Sequence, residues 1–149
     1  MKYRKAETGE TGILAELRKK QLIDEGIAPD INIDGELARF FRDHMKDESM
    51  AEWVAEEDGR IVATAAVIFY DFPPSYSNKS GVKGYVTNMY TAPEYRGHGI
   101  AAALLDRIVE EAKLKNVKKL WLGASEMGRP VYLKYGFSET DDLLELDIG

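Results

Sequence analysis

The run Arg96-Gly97-His98-Gly99-Ile100-Ala101 combines a permanent cation, two glycines and the start of an apolar periodicity. That combination suits a diphosphate. The first N–H groups of a helix have no partner in their own chain, and the helix dipole favours negative charge beside them. Gly97 and Gly99 carry no Cβ to hold a phosphate away from those donors. Arg96 adds a planar fork of N–H groups that matches phosphate oxygens. The elements needed to position the run are legible on either side. Gly84–Thr91 is rich in β-branched and aromatic residues and is followed by Pro93, which predicts a strand. Ile100, Leu104, Leu105, Ile108, Val109 and Ala112 recur at helical spacing. The chemistry is therefore that of a strand–glycine turn–helix anion site, with a turn that binds nothing as the bland alternative.

Two owners of a diphosphate are excluded by spacing. No Gly-x-x-x-x-Gly-Lys-[Ser/Thr] run exists, and Gly97-x-Gly99 continues into Ala101-Ala102 with no third glycine of the dinucleotide pattern. A second run carries chemistry of its own: Tyr132-Leu133-Lys134-Tyr135-Gly136-Phe137. Gly136 is suited to ending a short helix in a conformation that only glycine adopts cheaply, and Phe137 then returns to the core. Tyr132 is left as a phenol on that helix.

Together the two runs resemble the GNAT family, the Gcn5-related N-acetyltransferases. Arg96, Gly99 and Ala101 fall on the defined positions of its Arg/Gln-x-x-Gly-x-Gly/Ala motif. Tyr132, Gly136 and Phe137 fall on those of its Tyr-x-x-x-Gly-Phe signature. The resemblance implies acetyl-CoA as co-substrate and an N-acetyltransferase acting by direct transfer to a primary amine of a small molecule or peptide. It implies that Arg96, Gly97, His98, Gly99, Ile100 and Ala101 hold the pyrophosphate. Met89, Tyr90 and Thr91 would pair through their backbones with the pantetheine amides, as an added strand pairs with a sheet edge. Tyr132 would be the acid that protonates the departing thiolate.

The chain departs from the family at three places. Ser125 stands where relatives carry an Asn that touches the cofactor arm, and Gly128 stands where they carry Ala. Leu120-Trp121-Leu122 offers no glutamate base where some relatives have one. Ser125 can still donate and accept, with a shorter reach. The base is open among Tyr85, Glu94, Asp30 and Asp71, while Asn88 is neutral and could only orient a water or the acceptor. His98 occupies an unconstrained motif position facing solvent or phosphate, and His44 has apolar helical neighbours. Tyr76 and acids of the 26–35 loop are open as acceptor contacts. A non-catalytic acyl-CoA sensor or interaction module on the same fold is the competing expectation, motivated by the absent Asn and base; the retained Tyr132 argues against it.

The rest of the sequence bounds these readings. With 149 residues, one domain spanning 1–149 is expected. It should bury roughly 70% of its unfolded surface. Hydrophobic content of 44% and charged content of 31% are ordinary for a globular chain, and the absence of cysteine removes disulfides and thiolate metal sites. No metal site is expected. No run reaches the length of a membrane span, Met1–Lys5 is followed by no signal-peptide core, and a cytoplasmic location is the default. A net charge of −6 argues against nucleic acid as a partner. Oligomeric state is open; relatives are often dimers, which leaves a homodimer among the expectations.

Periodicity predicts a first strand over Lys2–Ala6, then a helix capped by Thr8 and running to about Glu25, with Ile13, Leu14 and Leu17 turned inward. A second helix is expected with Asp34 as its cap, and with Leu37, Phe40, Phe41, His44 and Met45 near one face. Strands at Met50–Glu56 and Arg60–Tyr70 flank turn chemistry at Glu57-Asp58-Gly59-Arg60. Phe72–Gly81 is a loop. Lys119–Gly123 and Leu143–Ile148 read as strands around a short helix within Met127–Tyr135, whose first turn Pro130 delays. The expected class is α+β: a mostly antiparallel mixed sheet flanked by helices, in β-α-α-β-β-β-α-β-α-β order.

Overall fold

A computed structural model describes residues 1–149. The elements are β1 (Lys2–Lys5), α1 (Thr11–Asp24), α2 (Asp34–Lys46), β2 (Met50–Glu57), β3 (Arg60–Asp71), β4 (Val82–Thr91), α3 (Ile100–Leu114), β5 (Leu120–Trp121) and α4 (Arg129–Tyr135). The strands lie in sequence order in one sheet. β1 to β4 pair antiparallel, and β5 joins β4 in parallel across the α3 crossover. This is the expected mixed α+β sheet, with every expected element present as far as α4.

Alternation along the strands divides the core between two faces. Ala51, Ala55, Ala63, Ala65, Val67 and Val86 face α3, whose Ile100, Leu104, Leu105 and Ile108 close over them. On the opposite face Met50, Val54 and Ala66 meet Leu14 and Ala15 of α1 and Phe41 of α2. Alanines on the α3 side let that helix approach the sheet closely, which brings its N-terminus against the end of β4.

Three local expectations are corrected. α1 begins at Thr11 behind a 3-10 turn at Thr8–Glu10, so Thr8 is not its cap. Glu10 accepts from the Glu7 N–H at 2.8 Å and is clamped by Arg4 at 2.7 Å, which secures this entry instead. Ile13 is half exposed instead of turned inward with Leu14 and Leu17. Asp34 is the first residue of α2, and Asn32 Oδ1 accepts its N–H at 2.9 Å. The largest correction is at the end of the chain. Residues 138–149 form no strand, and Leu143, Leu144, Leu146 and Ile148 stand exposed. Alternation there supplies a strand pattern, and nothing in the single chain pairs with it.

Candidate active site

β4 and β5 hydrogen-bond only at Gly84–Leu120 and Tyr85–Trp121, after which β4 continues unpaired on that side to Thr91. Its other edge is disturbed as well. The β3 register passes from Thr64–Tyr90 to Ala66–Thr87, so Asn88 and Met89 face the single residue Ala65 in a bulge. Asn88 adopts φ 54°, a left-handed conformation that asparagine tolerates better than most residues. Two side chains hold it there. Thr64 Oγ1 donates to the Asn88 carbonyl at 2.6 Å, and Asn88 Nδ2 donates to Glu52 Oε1 at 3.3 Å. The open edge thus presents Met89, Tyr90 and Thr91 to a cleft of about 640 Å³, within the size range of ligand pockets.

The glycine turn forms the floor of this cleft. Gly97 and Gly99 have φ of 80° and 79°, and a Cβ placed on either would meet no atom within 4 Å. The glycines are therefore required by the backbone, while the space above them stays open toward the first turn of α3. Ile100 and Ala101 line the same cleft. An anion fits this cradle by the chemistry of its donors: unpaired N–H groups at the positive end of a fifteen-residue helix. Arg96 is less free than its sequence suggested. Its Nε donates to the Thr91 carbonyl at 2.8 Å and its Nη2 to Asp24 Oδ2 at 2.8 Å. A diphosphate would share this guanidinium with Asp24 or take it over.

The facing wall comes from the loop after β5 and from α4. Ser125 Oγ accepts the Gly128 N–H at 3.1 Å, which closes the turn that leads into α4. A Cβ on Gly128 would lie 2.8 Å from the Tyr132 ring and 3.1 Å from Ser125 Oγ. Glycine in place of the family's alanine therefore lets the phenol pack against the turn. Tyr132 also meets Phe137 edge to face, with centroids 5.9 Å apart. Burial, reinforced by the nearby Glu25 carboxylate, pushes the Tyr132 phenol up to about 12. It stays protonated across the neutral range and can act as a donor.

Of the residues singled out from sequence, Met89, Tyr90, Thr91, Arg96, Gly97, Gly99, Ile100, Ala101, Ser125 and Tyr132 are brought to one cleft. His98 is not among its lining residues; the ring is exposed, with Nδ1 3.1 Å from the Tyr95 carbonyl. Tyr85, Glu94, Asp30 and Asp71 lie outside the cleft lining, and Asn88 is engaged in the bulge. The carboxylates that do line it are Asp24 and Glu25, at the end of α1. Gln21 Nε2 donates to Glu25 Oε1 at 3.2 Å. Sequence reasoning missed these two acids because only the crossing of α1 over β4 delivers them, and their helical spacing reads as an ordinary solvated end. No group of three or more His, Cys, Asp or Glu side chains is arranged to hold a metal ion. No helix is long and apolar enough to cross a membrane.

The open edge of β4, the glycine turn before α3 and the protonated Tyr132 phenol thus line one cleft. Residues 16–137 match the Acetyltransferase (GNAT) family, and the chain belongs to that family. It is similar to a predicted acetyltransferase of Clostridium acetobutylicum whose crystal structure holds acetyl-CoA. That similarity has a TM-score of 0.96 at 55% identity, covering 99% of this chain and 96% of that one. A GCN5-related N-acetyltransferase of Ralstonia eutropha shares the fold at TM-score 0.86 and 23% identity, with 99% of each chain covered. Among curated relatives, the glucosamine 6-phosphate N-acetyltransferase of Trypanosoma brucei brucei is 30% identical over 90 residues, 60% of this chain and 59% of that one. An uncharacterized N-acetyltransferase of Mycobacterium tuberculosis is 30% identical over 116 residues, 76% of this chain and 68% of that one.

Proposed function

We propose that this chain is an acetyl-CoA-dependent N-acetyltransferase that moves an acetyl group directly to a primary amine of a small molecule or peptide. The observation that carries the reading is the convergence, in one cleft, of the glycine cradle, the open edge of β4 and the protonated Tyr132 phenol. Acetyl-CoA, when bound, supplies an acyl thioester. The first N–H groups of α3 and the Arg96 fork would hold its diphosphate. Backbone groups of Met89, Tyr90 and Thr91 would align the pantetheine arm, and one of their N–H groups would stabilise the developing oxyanion.

Tyr132 would donate to the leaving sulfur. An ordinary thiol ionises near 8.5, so full transfer from a phenol at about 12 is uphill. Its effect would therefore be a hydrogen bond that strengthens as charge builds on sulfur in a partly dry site. The acceptor presents the larger proton problem, because an alkylammonium with pKa near 10.4 is mostly protonated at neutral pH. Glu25 is the carboxylate best disposed to take that proton. It lines the cleft, acts electrostatically on Tyr132 and, unlike Asp24, is not paired with Arg96.

The test is release of coenzyme A from acetyl-CoA across a panel of aminoglycosides, polyamines, amino sugars, amino acids and peptide N-termini. Turnover on at least one amine is expected. Glu25→Gln should slow turnover most at low pH and progressively less as the free amine accumulates. Tight acetyl-CoA binding by calorimetry with no turnover on any amine would replace the enzyme with a sensor.

A further inference from the structure

Beside the main cleft lies a second depression that the proposed transfer leaves unassigned. This groove of about 640 Å³ runs between the end of α1 and the loop after β5, and shares Asp24, Glu25, Ser125 and Met127 with the cleft. Glu126 is the third acid of its lining, and no Lys or Arg borders it. The acids differ in how their charge is balanced. Asp24 is matched by Arg96 at 2.8 Å. Glu126 is exposed, and the neighbouring cation Arg129 is held instead by Glu139 at 2.6 Å. Apart from Ser125 the remaining lining is glycine or apolar, and its Ile27 and Met127 are about half exposed.

An orphaned hydrogen-bond acceptor narrows the ligand. Gln21 of α1 lines the main cleft and is only 7% exposed. Its Nε2 donates to Glu25 Oε1 at 3.2 Å, which fixes the orientation of the amide and leaves Oε1 buried without a donor. A buried acceptor in that state is costly. A ligand group with donors only and a positive charge satisfies Gln21 and Glu25 together. An ammonium is such a group, whereas a phosphate or carboxylate is repelled. Glu126 then remains for a second cation, and the apolar lining suits methylenes better than hydroxylated rings.

We propose that the acceptor is an aliphatic diamine or polyamine, whose near ammonium meets Gln21 and Glu25 and whose far ammonium meets Glu126. As an acceptor assignment this rests on the proposed acetyl transfer. The near ammonium loses two protons and gains the acetyl group. One proton leaves through Glu25 to solvent, the other ends on the coenzyme A thiolate, and the C–N bond forms as the thioester C–S bond breaks. The far charge is untouched by the transfer, so Glu126 sets specificity through binding. An amine that carries a phosphate would instead set it among three carboxylates.

The test compares 1,4-diaminobutane, butylamine and 4-aminobutanoate as acceptors, each read as kcat/KM from coenzyme A release by the full chain. Diaminobutane should exceed butylamine about tenfold at low salt, with the gap closing as salt rises. Glu126→Gln should raise the diaminobutane KM about tenfold and erase that preference, chiefly through binding. Glu126→Lys should reverse the selection and favour 4-aminobutanoate over diaminobutane. Glu126 is exposed, and circular dichroism checks that both variants fold. Turnover on amines with no preference for a second positive charge overturns the proposal and leaves acetyl transfer standing. So does a preference that neither variant alters. With no turnover on any amine, acetyl transfer fails, and calorimetry with spermidine decides what remains. Binding that Glu126→Gln weakens about tenfold keeps a polyamine site; no binding, or binding that ignores the substitution, overturns it.

Discussion

From β4 to α3 the side chains behind the cleft are shut away from solvent, Leu104, Leu105 and Ile108 completely so. From Lys118 to Gly149, by contrast, no residue is fully buried. The two walls of one cleft thus differ in what holds them. The cradle wall is fixed by a close-packed helix and sheet, and its glycine turn stands on rigid elements at both ends. The wall bearing Tyr132 rests on a two-residue strand, a seven-residue helix and half-buried aromatic contacts. Binding should therefore depend on the cradle, which is already formed, while turnover should depend on the more thinly packed wall that bears Tyr132.

Separating the two walls should have its largest effect at Tyr132. Tyr132→Phe keeps the ring and its contact with Phe137 and removes only the donor. Turnover should fall about 100-fold, with acetyl-CoA affinity by calorimetry nearly unchanged. Equal losses in both quantities would mean that Tyr132 shapes the cradle, and unchanged turnover would remove it from the chemistry. The next effect should come from the cradle side. Arg96→Ala removes a charged fork from the proposed diphosphate site and should raise the KM for acetyl-CoA roughly tenfold with kcat little altered, as expected for losing a hydrogen bond to a charged group. Asp24→Asn, which frees the same guanidinium from its 2.8 Å ion pair, should move KM in the opposite direction. A KM that ignores both substitutions would leave Arg96 as a clip between Thr91 and α1.

The cradle was legible in the sequence because its determinants are local. Arg96, Gly97 and Gly99 are neighbours in the chain, and the left-handed glycines and the helix start follow from adjacent residue types. The same holds for Tyr132, Gly136 and Phe137. What was not legible depends on residues far apart in sequence. The Asn88 bulge is held by Thr64 and by Glu52, which is 36 positions away. Glu52 in β2 reads locally as the polar member of an alternating strand, and nothing near it indicates that it will be buried. Asp24 and Glu25 become cleft residues only through the packing of α1. The tail shows the reverse: its alternation predicts a strand over Leu143–Ile148, yet residues 138–149 form none, because periodicity carries no information about whether a partner strand is there to pair with.

Glu52 offers the smallest and most specific way to probe the bulge that opens the β4 edge. Its carboxyl is buried, with one oxygen accepting from Asn88 and the other unpartnered. Burial raises its pKa well above the usual 4.5, and the hydrogen bond from Asn88 and the charge of Arg18 oppose the rise only in part. A carboxyl whose folded pKa lies above its unfolded value binds its proton more tightly in the native state. Its contribution to stability is then complete below the unfolded value and declines as pH rises through the folded one. Glu52→Gln keeps the shape and an acceptor for Asn88 but cannot ionise. Denaturant unfolding of the two proteins should therefore give similar stabilities near pH 4, with the variant gaining on the wild type as pH rises toward 8. Parallel stability curves would mean that Glu52 is hydrated or paired when ionised. A variant that gains stability but loses turnover would show that the charge under the bulge helps to set the open edge of β4, and would tie the packed half of the molecule to the chemistry of the other.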